Sequence, residues 1–113
     1  MATHLLLPER ERGVCCPQKL RLRADRADDL VDVLKALADP TRLQMVAALR
    51  DAKAPVCVCD FTATFALTQP TVSHHMSRLR EAGLIECERR GVWAYYALRH
   101  DLAPSVRRLI DAI

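Results

Sequence analysis

Four of the chain's cysteines stand in two close pairs. Cys15 and Cys16 are adjacent, and Cys57 and Cys59 are separated by a single residue. Thiolates select soft or borderline ions such as As(III), Sb(III), Cd(II), Pb(II) and Zn(II). A free cysteine is otherwise a small, buried hydrophobe, which is the role we expect for Cys87 on a strand face. The two pairs therefore predict a metal or metalloid site.

The spacing of Cys57 and Cys59 limits the backbone that can turn both thiols toward one ion. In a regular helix the two side chains point about 200° apart, whereas in an extended or capping segment they lie on one side. Pro55 precedes the pair and places it at a helix start, where either geometry is reachable and a thiol pKa is lowered. Cys15 and Cys16 lie in a polar segment with no core to fill, which favours a ligand role for them over packing.

The segment from Gln69 to Leu79 predicts a DNA-recognition helix. At about 100° per residue, Val72, Met76 and Leu79 form one inward stripe. The opposite face carries hydroxyls, an imidazole and an arginine, which suit a helix that bonds phosphates or base edges in the major groove. Gln69 stands near the start, where the leading residues of such helices reach base edges. The candidate DNA contacts on this helix are Gln69, Thr71, Ser73, His74 and Arg78.

A basic β-hairpin is predicted after this helix. Residues 84–88 and 92–98 alternate like strands, and Arg89, Arg90 and Gly91 are expected to form the turn between them. At the hairpin tip, Arg89 and Arg90 are candidates to enter a minor groove or contact phosphate. A polar helix face alone is also typical of an ordinary amphipathic helix. A short preceding helix, a tight connection and this hairpin together favour DNA binding.

The elements that must position these residues follow from hydrophobic spacing and capping residues. Asp39 and Pro40 are expected to start a helix whose buried face carries Leu43, Val46 and Leu49. Helices are predicted over 25–38, 40–51, 57–66, from Thr68 as a cap to Gly83 as the closing residue, and over 101–112. This order predicts a mainly α, winged helix-turn-helix fold, α-α-α-α-β-β-α.

The chain divides at about residue 25. Residues 1–24 show no sustained period and are expected to form a mobile arm that carries Cys15 and Cys16, and residues 25–113 are expected to form one DNA-binding and dimerisation domain. Small helical domains often complete their burial by pairing, so we expect a homodimer. The net charge of +3 permits nucleic-acid binding.

Several other classes of protein are disfavoured. No apolar run approaches the roughly 18 residues of a membrane span, so no membrane role is expected. The segment Met1–Leu7 lacks the features of a secretory leader, and an odd number of clustered cysteines is unlike a secreted disulfide framework, so reduced thiols in the cytoplasm are expected. No nucleophile–base pairing or phosphate-cradling glycine loop supports an enzyme.

Four segments resemble the ArsR/SmtB family of metal-sensing repressors. They are Ala36-Leu-Ala-Asp-Pro-Thr-Arg-Leu, Cys57-Val-Cys-Asp, Gln69-Pro-Thr-Val-Ser-His-His-Met-Ser-Arg-Leu-Arg-Glu-Ala-Gly-Leu-Ile and Arg90-Gly-Val-Trp-Ala-Tyr-Tyr-Ala-Leu. The resemblance covers about residues 28–110. It implies a homodimeric repressor that binds a palindromic operator in double-stranded DNA and leaves it when a metal or metalloid binds.

The same resemblance leaves the inducing ion open. Cys57-Val-Cys59 looks like the ligand box of arsenite, cadmium and lead sensors. Thr62 stands where one type of arsenite sensor has a third cysteine, so the missing thiolate would come from Cys15 or Cys16. We favour As(III) or Sb(III) as the inducer, with Cd(II) or Pb(II) as the alternative.

Two other readings of the thiols stay open. A disulfide between the two cysteine pairs would make the protein a redox-sensing repressor. A metal carrier with no DNA role is disfavoured by the outward surface of Gln69, Ser73 and His74. The family's other metal site, on the last helix, is not expected because only Asp111 follows His100 and Asp101 there.

Overall fold

Five helices and a small sheet make up the structure, a computed structural model that describes residues 5–9, 11–13 and 18–113. The helices are α1 (Ala24–Leu37), α2 (Pro40–Asp51), α3 (Val58–Phe65), α4 (Gln69–Glu81) and α5 (Pro104–Asp111). The strands are β1 (Val56–Cys57), β2 (Ile85–Arg90) and β3 (Trp93–Leu98). Over the residues described, no helix combines the length and apolar character needed to cross a bilayer.

The start of α2 and the end of α4 are fixed by capping residues, as the sequence predicts. The Asp39 carboxylate accepts the N–H of Arg42 at 3.0 Å, and Pro40 occupies the first helical turn. Gly83 takes a φ of 76°, its N–H bonds the carbonyl of Arg80, and the N–H of Leu84 bonds the carbonyl of Leu79. This pair of bonds is a Schellman motif, which requires the left-handed conformation that glycine adopts without strain.

The sheet is antiparallel with β3 in its centre, in the order β1-β3-β2. β2 pairs with β3 from Ile85↔Leu98 to Arg90↔Trp93. The predicted turn at Arg89-Arg90-Gly91 was therefore wrong, because pairing continues through Arg90 and the turn is Gly91-Val92. Gly91 has a φ of 61°, which suits the first central position of a two-residue hairpin turn.

Two further boundaries differ from the sequence prediction. β1 covers Val56, which lies between the helices predicted over 40–51 and 57–66, and Cys57, where the second of these was predicted to begin. It pairs antiparallel with β3, with Cys57 opposite Tyr95. The last helix begins at Pro104 rather than at residue 101. A residue before proline is sterically disfavoured in the helical region. Ala103 therefore adopts an extended ψ of 144°, and the helix cannot begin before Pro104.

One hydrophobic core joins all five helices to the inner face of the sheet. Val72, Met76 and Leu79 are fully buried on α4, as predicted. On α2 the buried residues are Met45, Val46 and Leu49, whereas Leu43 is 36% exposed. The prediction for Leu43 was wrong because it lies roughly 110° around the helix from the centre of that stripe.

The carboxyl end of α5 is attached to α2 by Arg50. Its guanidinium donates to the carbonyl oxygens of Ile110 at 2.9 Å and Ile113 at 2.6 Å. The Ile110 carbonyl also accepts the N–H of Ile113 at 3.2 Å, so Arg50 adds a charged donor to the carbonyls at and beyond the end of α5. The last helix is thereby held against the helix that precedes the thiol segment.

Candidate nucleic-acid interface and thiol site

α3 and α4 form a helix-turn-helix through a connection of three residues. α3 ends at Phe65, its C-cap residue Ala66 adopts a left-handed conformation with a φ of 54°, and Leu67 and Thr68 lead into α4. Phe61 and Phe65 stack with ring centroids 6.1 Å apart on α3. The two helices contact one another along this turn. The short connection and the packed α3 fix the position from which α4 projects.

The outer face of α4 carries the side chains predicted to contact DNA. Gln69, Thr71, His74 and Arg78 are exposed, and Ser73 is half-buried. Thr68 is the N-cap residue, but its hydroxyl lies 2.9 Å from the Thr71 hydroxyl and makes no cap bond to a backbone N–H. The predicted cap by the Thr68 side chain was therefore wrong, although α4 begins at the predicted position. The exposed face combines hydroxyl, amide, imidazole and guanidinium groups, which suit a major groove.

The hairpin of β2 and β3 presents cations beside the helix-turn-helix. Arg89 and Arg90 are exposed near its tip, within β2, on alternating faces of the strand. Arg90 lies 3.7 Å from the Glu88 carboxylate in an exposed pair, which contributes little to stability. Val92 is 85% exposed and Trp93 52% exposed at the same tip, and sequence reasoning did not single them out. Val92 lies in the two-residue turn and Trp93 follows it as the first residue of β3, so a correctly placed turn was the available signal.

Cys57 and Cys59 lie close together in sequence at the first turn of α3. Cys57 is the N-cap residue and is buried in an extended conformation. Cys59, the second residue of the helix, is exposed. The Cys57 side chain accepts the N–H of Asp60, and the Asp60 carboxylate accepts the N–H of Cys57 at 3.2 Å. This reciprocal arrangement is a capping box with a thiol in place of the usual hydroxyl.

The Cys59 thiol is a weaker acid than an ordinary cysteine. Hydrogen bonding with the Cys57 thiol raises the pKa of Cys59, and desolvation and the nearby charges of Cys57 and Asp60 raise it further. The predicted lowering by the helix amino terminus was therefore wrong for Cys59, because the second thiol and the carboxylate disfavour its thiolate. Binding of an ion to this thiol must release its proton.

Part of the predicted thiol site lies outside the described residues. This applies to Cys15 and Cys16, the candidates for the remaining thiolates. Thr62, at the position of a third cysteine in some relatives of the resembled family, donates its hydroxyl to the carbonyl of Cys59 at 2.9 Å. Within residues 5–9, 11–13 and 18–113, no group of three or more His, Cys, Asp or Glu side chains is arranged to hold a metal ion.

Comparison with known proteins finds relatives that regulate transcription. Residues 39–86 match the family described as "Bacterial regulatory protein, arsR family". The arsenical resistance operon repressor of Escherichia coli (strain K12) is 35% identical over 81 residues, which are 72% of this chain and 68% of that protein. The arsenic resistance transcriptional regulator ArsR1 of Pseudomonas putida is 40% identical over 81 residues, and this match spans 72% of the chain and 59% of the relative's length.

Solved structures agree with the fold. The homodimeric winged helix-turn-helix DNA-binding domain Mb0332 of Mycobacterium bovis, described as a possible ArsR-family transcriptional regulator, has a TM-score of 0.64 and 29% identity. The match covers 79% of this chain and 78% of that domain. The predicted winged helix-turn-helix is thus confirmed, and the relatives named here are regulators of transcription.

Proposed function

The chain belongs to the ArsR family of transcriptional repressors, and from this premise we propose that As(III) or Sb(III) releases it from its operator by binding cysteine thiolates. The proposed ligands are Cys57 and Cys59 with one or both of Cys15 and Cys16. The proposed DNA contacts are Gln69, Thr71, Ser73, His74, Arg78, Arg89 and Arg90. Support for an arsenical inducer comes from the two arsenical relatives, each named for that resistance.

The shared role of Cys57 carries the proposal. Cys57 caps α3, which contacts α4, and its backbone pairs with Tyr95 on β3 of the hairpin. Cys57 is therefore next to both elements proposed to contact DNA: it contacts α4 through α3, and it pairs directly with the hairpin strand β3. When the sulfur turns away from the N–H of Asp60 toward a shared ligand, the first turn of α3 loses a cap bond. That change at Cys57 reaches the position of α4 through α3 and the position of the hairpin through β1.

The donor set fits a soft ion. Two cysteine side chains at the first turn of α3, one of them exposed, offer sulfur to an ion that prefers sulfur over oxygen. When bound, As(III) supplies a centre for three thiolates, so a third sulfur from the arm of residues 1–24 is required. Displacement of DNA then requires that the ion bind the released state of the protein more tightly than the DNA-bound state.

A homodimer is the proposed form on DNA. On α1, Val31 is 42% exposed and Leu34 49% exposed, and α5 carries the half-buried Val106 and Leu109. Apolar side chains that are exposed on the first helix and half-exposed on the last favour burial against a second copy. Two copies related by a two-fold axis place their α4 helices in successive major grooves, about 34–36 Å apart, so the operator should be palindromic.

A series of ions tests the choice of inducer. The protein would first be used to select its operator from random double-stranded DNA, and release of that operator would then be titrated with As(III), Sb(III), Cd(II), Pb(II) and Zn(II). As(III) and Sb(III) are expected to release it at the lowest concentrations, and Cys15→Ser/Cys16→Ser is expected to weaken this release. Cys87→Ser is the matched control and should respond as the native protein does.

Two other outcomes would each overturn the proposed inducer. Release by Cd(II) or Pb(II) at lower concentrations than As(III) would make the protein a sensor of those ions. Release by peroxide, with no response to any ion, would make it a redox sensor in which a disulfide forms as two thiols lose two electrons and two protons to the peroxide.

A further inference from the structure

His75 on α4 does not share the outward face of its neighbour His74. Its side chain is only 15% exposed, whereas His74 is exposed. The Nδ1 atom of His75 lies 3.3 Å from Nη1 of Arg42 and 4.0 Å from the Asp39 carboxylate. His75 therefore faces the beginning of α2 rather than the groove side of the recognition helix.

Arg42 connects three helices through this contact. Its Nε donates to the carbonyl of Ala36 in the last turn of α1 at 2.6 Å, and its backbone N–H donates to the Asp39 cap of α2 at 3.0 Å. Its Nη1 reaches His75 in the middle of α4. Because the guanidinium is planar and its donors are fixed relative to one another, bonds from Nε and Nη1 to two helices constrain their separation and angle.

The chemistry of this contact determines the state of the histidine ring. A guanidinium only donates hydrogen bonds, so Nδ1 of His75 must accept. A hydrogen bond here therefore requires the ring tautomer that carries its proton on Nε2. A ring with a proton on Nδ1 would place that proton against the donors of Arg42 and lose the contact.

We propose that Arg42 and His75 are positioning residues for DNA recognition, which hold α4 at the angle that its outer face needs in the major groove. The inference rests on the DNA-binding part of the proposed function. The carbonyl of Ala36 and the Asp39 carboxylate complete the arrangement, so the angle of α4 is set from the junction between α1 and α2. His75 itself contacts no DNA, because it faces that junction.

Matched substitutions separate positioning from direct contact. His75→Ala and Arg42→Lys remove the connection, and operator affinity is expected to fall about tenfold, as for other bonds to a charged group. His75→Asn keeps an acceptor near the position of Nδ1 and should retain most of the affinity. The double variant Arg42→Lys/His75→Ala should lose no more than Arg42→Lys alone, because the lysine variant already lacks the connection to His75. His74→Ala is the control for loss of an outward side chain.

The salt dependence of binding and a check that each variant is folded complete the comparison. His75→Ala should bind operator with an unchanged salt slope, because no phosphate contact is lost. Circular dichroism establishes that each variant is folded at the temperature of the binding measurement. If folded His75→Ala binds operator as the native protein does, or if His75→Asn is as weak as His75→Ala, the positioning role is wrong.

A measurement on the native protein without DNA provides a second test. Nitrogen-15 NMR at mildly alkaline pH distinguishes the two neutral ring tautomers, and the Nε2–H tautomer is expected for His75. An Nδ1–H tautomer would overturn the contact with Arg42. Because this measurement involves no operator, it distinguishes failure of this inference from failure of the proposed DNA-binding function.

Discussion

At the scale of single residues, Cys57 has two roles. It is a candidate ligand for a soft ion and also the N-cap of α3, where its sulfur and the Asp60 carboxylate form a reciprocal pair of bonds. The sequence placed the two thiols at a helix start, but it did not reveal the capping box. Asp60 falls at the third helical position only if Val58 begins the helix, a boundary that spacing alone does not define.

The cap predicts a difference between two substitutions of Cys57. Cys57→Ser keeps a side chain that accepts the N–H of Asp60, since serine is a preferred N-cap residue. Cys57→Ala removes that acceptor and should lower the free energy of unfolding by about 1 kcal/mol relative to Cys57→Ser. Urea unfolding followed by circular dichroism measures the difference. Equal stability of the two variants would show that the cap contributes nothing.

At the scale of helices and strands, most of the fold follows from the sequence. Asp39, Pro40 and Gly83 mark helix ends by chemistry that works locally, and the burial of Val72, Met76 and Leu79 follows from helical spacing. What the sequence missed depends on pairing between distant segments. β1 is too short to alternate, and the continuation of β2 through Arg90 is visible only from its partner Trp93.

The cap of α2 predicts how stability depends on acid. The N–H of Arg42, aided by the charge of the Arg42 guanidinium, holds the pKa of Asp39 below its usual value. Since the unfolded chain then takes up a proton more readily, the contribution of this carboxylate is complete above about pH 4 and is lost as the pH falls through the lowered pKa.

Asp39→Asn tests this dependence, because asparagine also caps helices but does not titrate. The native protein should be the more stable of the two at neutral pH, and the difference should shrink as the pH is lowered below about 4. Thermal unfolding over a pH series gives the comparison. A difference that stays constant down to strongly acidic pH would contradict the assignment.

At the scale of the whole molecule, one short segment contains Cys57 and Cys59 and lies between α4 and the hairpin. β1 and the first turn of α3 contain both described thiols of the proposed site, and they adjoin β3 on one side and α4 through α3 on the other. The candidate DNA surface could be predicted from the sequence because it lies on a periodic helix. The sequence also named Cys15 and Cys16 as candidates for the rest of the ligand set, but residue spacing does not fix which of them binds, and both lie outside the described residues.

The central claim is that thiolate chemistry at Cys57 and Cys59 controls binding to the operator. The most direct test measures the affinity for fluorescently labelled operator with and without As(III), for the native protein and for Cys57→Ser/Cys59→Ser. The native protein should lose operator affinity by at least about tenfold, within the usual range of coupling between sites. The double variant should bind operator as the native protein does and keep that affinity when As(III) is added. Release of the double variant by the same concentration of As(III) would contradict the account.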